Sequence, residues 1–310
     1  MALPELFRNR LSVPVVGAPM FLVSRPQLVI AQCKAGVPGS FPTLNARPIE
    51  QLDAWLTEIS DALENDPKAA PYGANLIVHR TNTRLEQDTD LVVKHKVPFV
   101  ITSVGDPTEH VKRIHSYGGI VFHDVTTIRH AQKAIQAGVD GLILVSAGAG
   151  GHAGTMSPFA LVAEVRRIFA GTILLAGALS NGAQIKAAQL MGADLGYMGT
   201  RFIATKEASA DDQYKEMIVQ STMADIVYTP YFSGVPANYL KHSITMRGLD
   251  PAAVSGVRQG ANLGIDERPD EFKAWRDIWS AGHGVGTIDD VPSVADLVAR
   301  LKREYDAAKV

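Results

Sequence analysis

The chain has 310 residues, and its 30 Lys and Arg side chains nearly balance 32 Asp and Glu side chains, which gives a formal net charge of −2 at pH 7. This length is enough for one large domain or two smaller ones, and the balanced charge argues against nucleic acid or an anionic membrane as a partner. The single cysteine, Cys33, excludes an intrachain disulfide framework. No signal-peptide pattern begins the chain and no apolar run reaches the roughly 18 residues of a membrane span, so we expect a cytoplasmic protein.

Short apolar runs alternate with amphipathic stretches along the first two-thirds of the chain. Within these runs the apolar residues are mostly consecutive, which indicates parallel strands covered on both faces. The eight predicted strands are Val13–Met20, Val37–Phe41, Tyr72–Val78, Pro98–Val104, Gly119–Val125, Gly141–Ala147, Thr172–Ala178 and Leu195–Thr200.

Helical spacing of apolar residues predicts one helix after each of the first seven strands. These helices are Arg25–Ala35, Pro48–Leu63, Leu85–Lys96, Thr108–Tyr117, Thr127–Ala137, Pro158–Phe169 and Asn181–Met191. Their number and order favour an α/β fold of the (β/α)₈ or TIM-barrel type. An open, doubly wound parallel sheet is the competing arrangement.

The regular alternation ends after Thr200. Residues 206–290 show a helix pattern at Asp211–Ser221 and a loop-rich stretch at Gly248–Pro269, but no convincing strand. The last segment, Ser293–Lys309, is again amphipathic and is interpreted as the eighth barrel helix. We therefore predict a barrel domain from residues 1–205 plus 291–310, with 206–290 inserted as a helical lid or substrate subdomain over the carboxyl end of the strands. A C-terminal extension packed on the side of the barrel is the alternative.

The sixth predicted strand leads into a loop of small residues that contains one titratable side chain. Glycines at 148, 150, 151 and 154 surround His152. Glycine lets a backbone approach a flat or anionic ligand closely, and an imidazole can exchange a proton near neutral pH. A glycine-rich turn with a solvated histidine is the alternative interpretation.

The loops after the seventh and eighth predicted strands are where barrel enzymes commonly bind phosphate. Here they read AGALSNG from Ala176 and MGTR from Met198. Free backbone N–H groups at a helix start attract anions, Thr200 adds a hydroxyl, and Arg201 is a candidate source of positive charge. These loops predict a phosphorylated ligand, unless their glycines only relieve crowding at the strand ends.

Other candidate residues are interpreted more plainly. His123 is interpreted as a satisfied histidine rather than a pocket residue, and its neighbour Asp124 as a residue that holds the loop. Tyr231, Phe232 and Trp279 either roof an apolar pocket or belong to the core of the insertion. The sequence contains no P-loop, no HExxH motif and no GxSxG motif, so we expect no metal site and no serine nucleophile.

Five motifs, taken together and in order, resemble the nitronate monooxygenase family, formerly called 2-nitropropane dioxygenases. They are Gly17-Ala-Pro-Met20, Gly73-Ala-Asn75-Leu76, the Ser146–Gly154 loop with His152, Met198-Gly-Thr-Arg-Phe202 and Trp279-Ser-Ala-Gly282.

The resemblance implies an FMN-binding barrel in which His152 is the catalytic residue, a base towards neutral nitroalkanes or a group that orients an anionic nitronate. It implies FMN contacts from ten residues: Ala18, Pro19, Met20, Asn75, Gly150, Gly151, Gly177, Ala178, Gly199 and Thr200. The implied reaction consumes a nitronate or nitroalkane and O₂ and yields a carbonyl compound and nitrite. A homodimer is compatible with the sequence, which does not define the oligomeric state.

Two departures from the family pattern bear on the function. Relatives often carry a lysine after the fifth-strand histidine, where this chain has Asp124, and some carry Ser-Gly-Gly where it has Gly177-Ala-Leu179. Asp124 cannot neutralise a phosphate, so phosphate binding would depend more on backbone amides. The alternatives are an FMN-dependent NAD(P)H:quinone or enoyl-thioester reductase and a non-catalytic FMN- or phosphate-binding module.

Overall fold

A parallel sheet of eight strands curls into a nearly closed barrel in the computed structural model, which describes residues 3–257 and 273–309. The barrel strands follow one another in the spatial order β1-β9-β8-β6-β5-β4-β3-β2. All strands in chain order are β1 (Val15–Gly17), β2 (Ser40–Pro42), β3 (Gly73–Ile77), β4 (Phe99–Ser103), β5 (Ile120–Val125), β6 (Gly141–Val145), β7 (Gly151–His152), β8 (Thr172–Ala176), β9 (Leu195–Met198), β10 (Ile226–Thr229) and β11 (Ala237–Leu240).

Hydrogen bonds across the seam join the two end strands of this sheet. The amide of Gly17 donates to Pro38 O at 2.8 Å, and Ser40 Oγ donates to Gly17 O at 2.6 Å. A Cβ at position 17 would lie 2.5 Å from Gln32 Nε2, so a larger residue there would displace the Gln32 side chain. The chain therefore forms the predicted barrel and not the open sheet.

The barrel interior is packed at one end and open at the other. Side chains alternate inward and outward along a strand, and the inward Phe99 and Phe122 meet Phe7 at centroid distances of 5.6 and 6.0 Å. Towards the carboxyl ends of β3, β4 and β5 the inward positions change to polar residues. This change from large apolar to polar side chains leaves space at the carboxyl end of the barrel.

Helices surround the barrel, and the nine predicted ones are confirmed with ends within two residues of the observed bounds. The helices are α1 (Pro26–Lys34), α2 (Ile49–Glu64), α3 (Leu85–Lys94), α4 (Thr108–His115), α5 (Ile128–Gln136), α6 (Pro158–Ile168), α7 (Gly182–Leu190), α8 (Thr200–Ile203), α9 (Asp212–Gln220), α10 (Lys241–Thr245) and α11 (Val294–Ala307). In the described ranges no helix has both the length and the apolar character needed to cross a bilayer.

The last helix completes the outer ring. Helix α11 packs against both α7 and α1, and Glu304 Oε2 accepts a hydrogen bond from the amide of Gly182 at 2.8 Å. Its apolar face, which includes Leu297, Val298 and Leu301, is buried. A helix thus lies at the predicted place and packs between the last and first helices of the ring.

The expectation of no strand between residues 206 and 290 was wrong. Strands β10 and β11 form an antiparallel hairpin, and the two-residue strand β7 of the glycine loop adds to its edge. Each hairpin strand is only four residues long, too short for a clear period-two pattern, and β7 is distant in sequence. Part of the loop-rich stretch Gly248–Pro269 lies outside the described residues.

Candidate active site

A cavity of about 420 Å³ lies at the carboxyl end of the barrel. This volume is within the range of about 300–1,000 Å³ that is typical of small-molecule and cofactor sites. The structure brings all the predicted site residues to its wall: His152, Ala18, Pro19, Met20, Asn75, Gly150, Gly151, Gly177, Ala178, Gly199 and Thr200. The strand-end positions chosen from the sequence therefore share one site.

The glycine loop after β6 is held in place by the C-terminal motif. The amide of His283 donates to Gly148 O at 2.9 Å, and a Cβ at Gly150 would lie 2.9 Å from the amide nitrogen of Gly282. Gly151 has a φ of +70°, a backbone conformation that residues other than glycine rarely adopt. Close backbone contact thus explains why this loop is rich in glycine.

The insertion positions the imidazole of His152. Strand β7 pairs His152 with Ala237 of β11, so the backbone of the histidine belongs to the small three-stranded sheet. Its Nε2 lies 3.0 Å from Ser233 Oγ, and its ring meets Trp275 edge to face at a centroid distance of 5.2 Å. The imidazole is therefore fixed by two contacts from the insertion and is not a solvated turn residue.

The hydrogen bonds of Ser233 favour one tautomer of His152, because the role of His152 Nε2 follows from where the Ser233 proton points. Ser233 Oγ donates to Val235 O at 2.9 Å and accepts from the hydroxyl of Tyr239 at 3.3 Å. Because its one proton is already used, Ser233 Oγ accepts from His152. The ring proton then lies on Nε2, and Nδ1 carries the lone pair.

Burial sets the charge of this imidazole. Loss of hydration lowers the pKa of His152 to about 4, because the charged form is disfavoured in an enclosed site. At neutral pH His152 is therefore uncharged and able to accept a proton.

The loops after β8 and β9 reach the cavity, but only part of the predicted anion site is available. The amides of Ser180 and Asn181 both donate to Gln184 Oε1 at 2.7 and 3.2 Å, and the amide of Gly182 is taken by Glu304. The first turn of α7 is therefore occupied by the protein itself. The remaining wall at this corner is formed by Gly177, Ala178, Gly199 and Thr200.

Arg201 does not supply charge to the cavity. Its side chain is 2 % exposed and donates to Asp290 Oδ1 and to Ala204 O. Thr200 does face the site, where its Oγ1 accepts from the amide of Gly282 at 2.9 Å. Its hydroxyl proton is left to donate to a ligand.

A row of three polar side chains crosses the wall opposite these loops. Asn75 Nδ2 donates to Ser103 Oγ at 2.8 Å, and Ser103 Oγ donates to Asp124 Oδ2 at 2.6 Å. From the sequence, Ser103 is a strand-end position without an assigned role and Asp124 is interpreted as a residue that holds the loop, whereas both line the cavity. Side chains two residues apart in a strand point to the same face, so an inward Phe122 predicts that Asp124 also points into the barrel.

His123 faces outward, between the barrel and the helices. Its Nδ1 lies 2.8 Å from Thr102 Oγ1, and burial lowers its pKa to about 4. His123 is therefore a satisfied histidine, as expected, but it lies outside the barrel mouth in which the sequence interpretation placed it.

Trp275, which the sequence did not indicate, contributes an aromatic side chain to the cavity wall. Trp275 has a φ of +72°, a strained conformation for a bulky residue that often marks a functional site. By contrast, Tyr231 and Phe232 pack in the core of the insertion, and Trp279 stacks on Tyr214 at 4.9 Å. Of the two interpretations left open for those three residues, the core is the correct one.

Comparison with known proteins agrees with this arrangement. The family model described as nitronate monooxygenase matches residues 60–304. The chain belongs to the nitronate monooxygenase family. It is accordingly a flavin-type oxidoreductase.

Similar proteins carry more than one activity in their names. A nitronate monooxygenase of Paraburkholderia phytofirmans is 26 % identical, covering 94 % of this chain and 92 % of the relative. A (3aS,4S,5R,7aS)-5-hydroxy-7a-methyl-1-oxo-octahydro-1H-indene-4-carboxyl-CoA dehydrogenase of Rhodococcus jostii is 24 % identical, covering 92 % and 90 %. The structure of FabK from Thermotoga maritima matches with a TM-score of 0.78 and 25 % identity, covering 96 % and 94 %.

Proposed function

We propose that this chain is an FMN-dependent nitronate monooxygenase that oxidises neutral nitroalkanes and their nitronates with O₂ to carbonyl compounds and nitrite. The observation that carries the proposal is His152: an uncharged imidazole on the cavity wall, with Ser233 accepting at Nε2 and a lone pair at Nδ1. A nitro group acidifies the neighbouring C–H bond, so a positioned base of this kind is the group that such a substrate requires.

The cavity wall fits a flavin mononucleotide. At Gly199 an added Cβ would meet only Ala18 and Met20 at ordinary distances of 3.6 Å, so the protein itself does not require glycine there, and the missing side chain keeps the wall open for a ligand. Gly177, Ala178, Gly199 and Thr200 would hold the phosphate end, and Ala18, Pro19, Met20, Asn75, Gly150 and Gly151 would contact the rest.

When bound, FMN supplies the redox chemistry, taking electrons from the substrate and passing them to O₂. The contribution of the chain is binding and proton transfer. His152 accepts the α-proton of the nitroalkane at Nδ1 while Ser233 holds the ring by Nε2. Because the protonated imidazole is disfavoured by burial, His152 readily releases the proton again after the step.

The charge of the cavity favours an uncharged substrate. No Arg or Lys is among the lining residues in the described part of the chain, and His152 is neutral at physiological pH. An anionic nitronate would therefore lose its hydration without gaining an ion pair. The neutral nitroalkane is the form that this site binds more readily.

A flavin-dependent reductase is the second candidate. The name of the Rhodococcus jostii relative, a carboxyl-CoA dehydrogenase, favours a CoA thioester as the substrate of this candidate, in which NAD(P)H would supply the hydride. The same neutral imidazole would then protonate or orient the thioester rather than deprotonate a nitroalkane.

Anaerobic mixing separates the two candidates. The FMN-loaded protein is mixed with nitroethane, with ethyl nitronate and with NADH, and the visible flavin absorbance is followed. We expect bleaching by both nitro compounds, nitrite on admission of O₂, and no rapid bleaching by NADH. Rapid bleaching by NADH alone would overturn the proposal in favour of the reductase, and no bleaching by any of the three would indicate a binding module.

A His152→Ala variant serves as the matched control for the base. It should lose bleaching by nitroethane and keep bleaching by ethyl nitronate, which is already deprotonated. Unchanged reaction with nitroethane would remove His152 from the role of base.

A further inference from the structure

The carboxyl group of Asp124 has a buried oxygen without a partner. Asp124 lies at the carboxyl end of β5 and lines the cavity. Its Oδ2 accepts the 2.6 Å hydrogen bond from Ser103, whereas Oδ1 is buried and has no hydrogen-bond partner in the described structure. A buried polar atom left unpaired costs about 1–3 kcal/mol, so an unpaired oxygen on a cavity wall indicates a contact with a ligand.

The neighbours of Asp124 cannot compensate a negative charge. Around the cavity the other titratable groups are His130, His152, Tyr197 and Tyr214, and the described lining residues include no Arg or Lys. His152 is neutral, and Tyr197 keeps its proton because burial and the nearby Asp124 raise its pKa. Ser103 stabilises the carboxylate only at Oδ2.

The same enclosure acts on the carboxyl group itself. Desolvation raises the pKa of Asp124 to about 6, and a ligand that fills the cavity removes more water and raises it further. An ionised Asp124 under a bound flavin would be a buried charge without a counter-ion, which is strongly unfavourable. The neutral carboxyl, in contrast, presents an O–H donor at Oδ1.

We propose that Asp124 is a flavin-binding residue that acts in its neutral form, with Oδ1–H donating a hydrogen bond to a carbonyl or ring-nitrogen acceptor of the bound FMN. The inference rests on the proposed function, because it requires FMN in this cavity. It adds a donor that the sequence did not indicate, and it makes FMN binding coupled to proton uptake.

The coupling has a defined magnitude. If only the neutral form binds, the apparent Kd of FMN rises about tenfold per pH unit well above the pKa of Asp124. With a pKa of about 6, half of the carboxyl is already ionised at pH 6, so the rise between pH 6 and pH 8 is about 50-fold. Asn is isosteric with Asp and keeps a donor at every pH, so Asp124→Asn should bind FMN without this dependence.

The experiment measures the Kd of FMN by quenching of flavin fluorescence between pH 5 and pH 8.5 for the wild-type chain and Asp124→Asn. The ratio of the two Kd values cancels the titration of the FMN phosphate and of His152, which both proteins share. We expect the ratio to rise about 50-fold from pH 6 to pH 8 and the wild-type chain to take up close to one proton per FMN at pH 7.5.

Ser103→Ala provides a second variant with a distinct expectation. The Ser103 hydrogen bond lowers the pKa of Asp124, so its loss should shift the midpoint of the pH dependence upward. The inference about Asp124 is overturned if the ratio of the wild-type Kd to the Asp124→Asn Kd does not change with pH. It is also overturned if this ratio falls as pH rises, which is the result expected when an ionised Asp124 accepts a hydrogen bond from FMN. Failure of the wild-type chain to bind FMN at any pH would instead refute the proposed function.

Discussion

Replacement of Ser233 by Ala tests whether the tautomer of His152 matters for the reaction. The hydroxyl is 2 % exposed and accepts from His152 Nε2. Its removal leaves a buried ring N–H unpaired, at a cost of about 1–3 kcal/mol. The ring can relieve this cost by moving its proton to Nδ1, which removes the lone pair that accepts the substrate proton. A loss of about 2 kcal/mol corresponds to about 30-fold in kcat/KM.

The assay compares nitroethane with ethyl nitronate as substrates. Only nitroethane requires a base, so Ser233→Ala should lower kcat/KM about 30-fold for nitroethane and have little effect on ethyl nitronate. Ser233→Thr keeps the hydroxyl and should recover most of the lost rate. Equal losses on both substrates would show that the serine only maintains the shape of the site, and an unchanged rate with nitroethane would refute the tautomer assignment.

Two further variants test the cavity wall at Gly199 and the buried His123. Gly199→Ala should fold normally and weaken FMN binding about tenfold or more, because the methyl group overpacks a filled cavity by about 1–3 kcal/mol. The matched control is Gly286→Ala, which lies away from the cavity and whose Cβ would meet no atom closer than 3.8 Å. Equal FMN affinity in the two variants would contradict a close approach of the ligand to Gly199. The lowered pKa of His123, about 4 when folded against the usual 6.5, means that the unfolded chain binds more protons between these values, so stability falls as pH falls through this window. Urea unfolding of the wild-type chain should therefore lose about 2 kcal/mol more than His123→Gln between pH 7 and pH 5, and identical losses would argue against a neutral buried His123.

The barrel was predictable because its signals are local. Each parallel strand is a short consecutive apolar run such as TILLA at Thr172–Ala176, and each helix repeats its apolar face within one segment. The hairpin β10–β11 was not predictable in this way. Its strands are short, and their register depends on β7, which lies more than 70 residues earlier in the chain.

The candidate site was predictable only where a rule connects sequence position to space. In a barrel the strand ends converge, so positions after each strand could be chosen without coordinates. No such rule applies to the insertion, and Ser233 and Trp275 were therefore missed. Arg201 illustrates the opposite error: it was a candidate source of charge for a ligand because it follows a strand-end glycine, although Asp290, 89 residues away, binds it.

The pairing of β7 with β11 joins the reactive imidazole to a segment that is not part of the barrel. In a strand, a shift of one residue in register turns every side chain to the opposite face. A single-residue insertion or deletion at the edge of β11 would therefore rotate His152 away from the ligand while the eight barrel strands stayed unchanged. When the segment that corresponds to residues 206–290 is exchanged between related barrels, activity should be transferred only if the pairing of Gly151 and His152 with Asn238 and Ala237 is preserved.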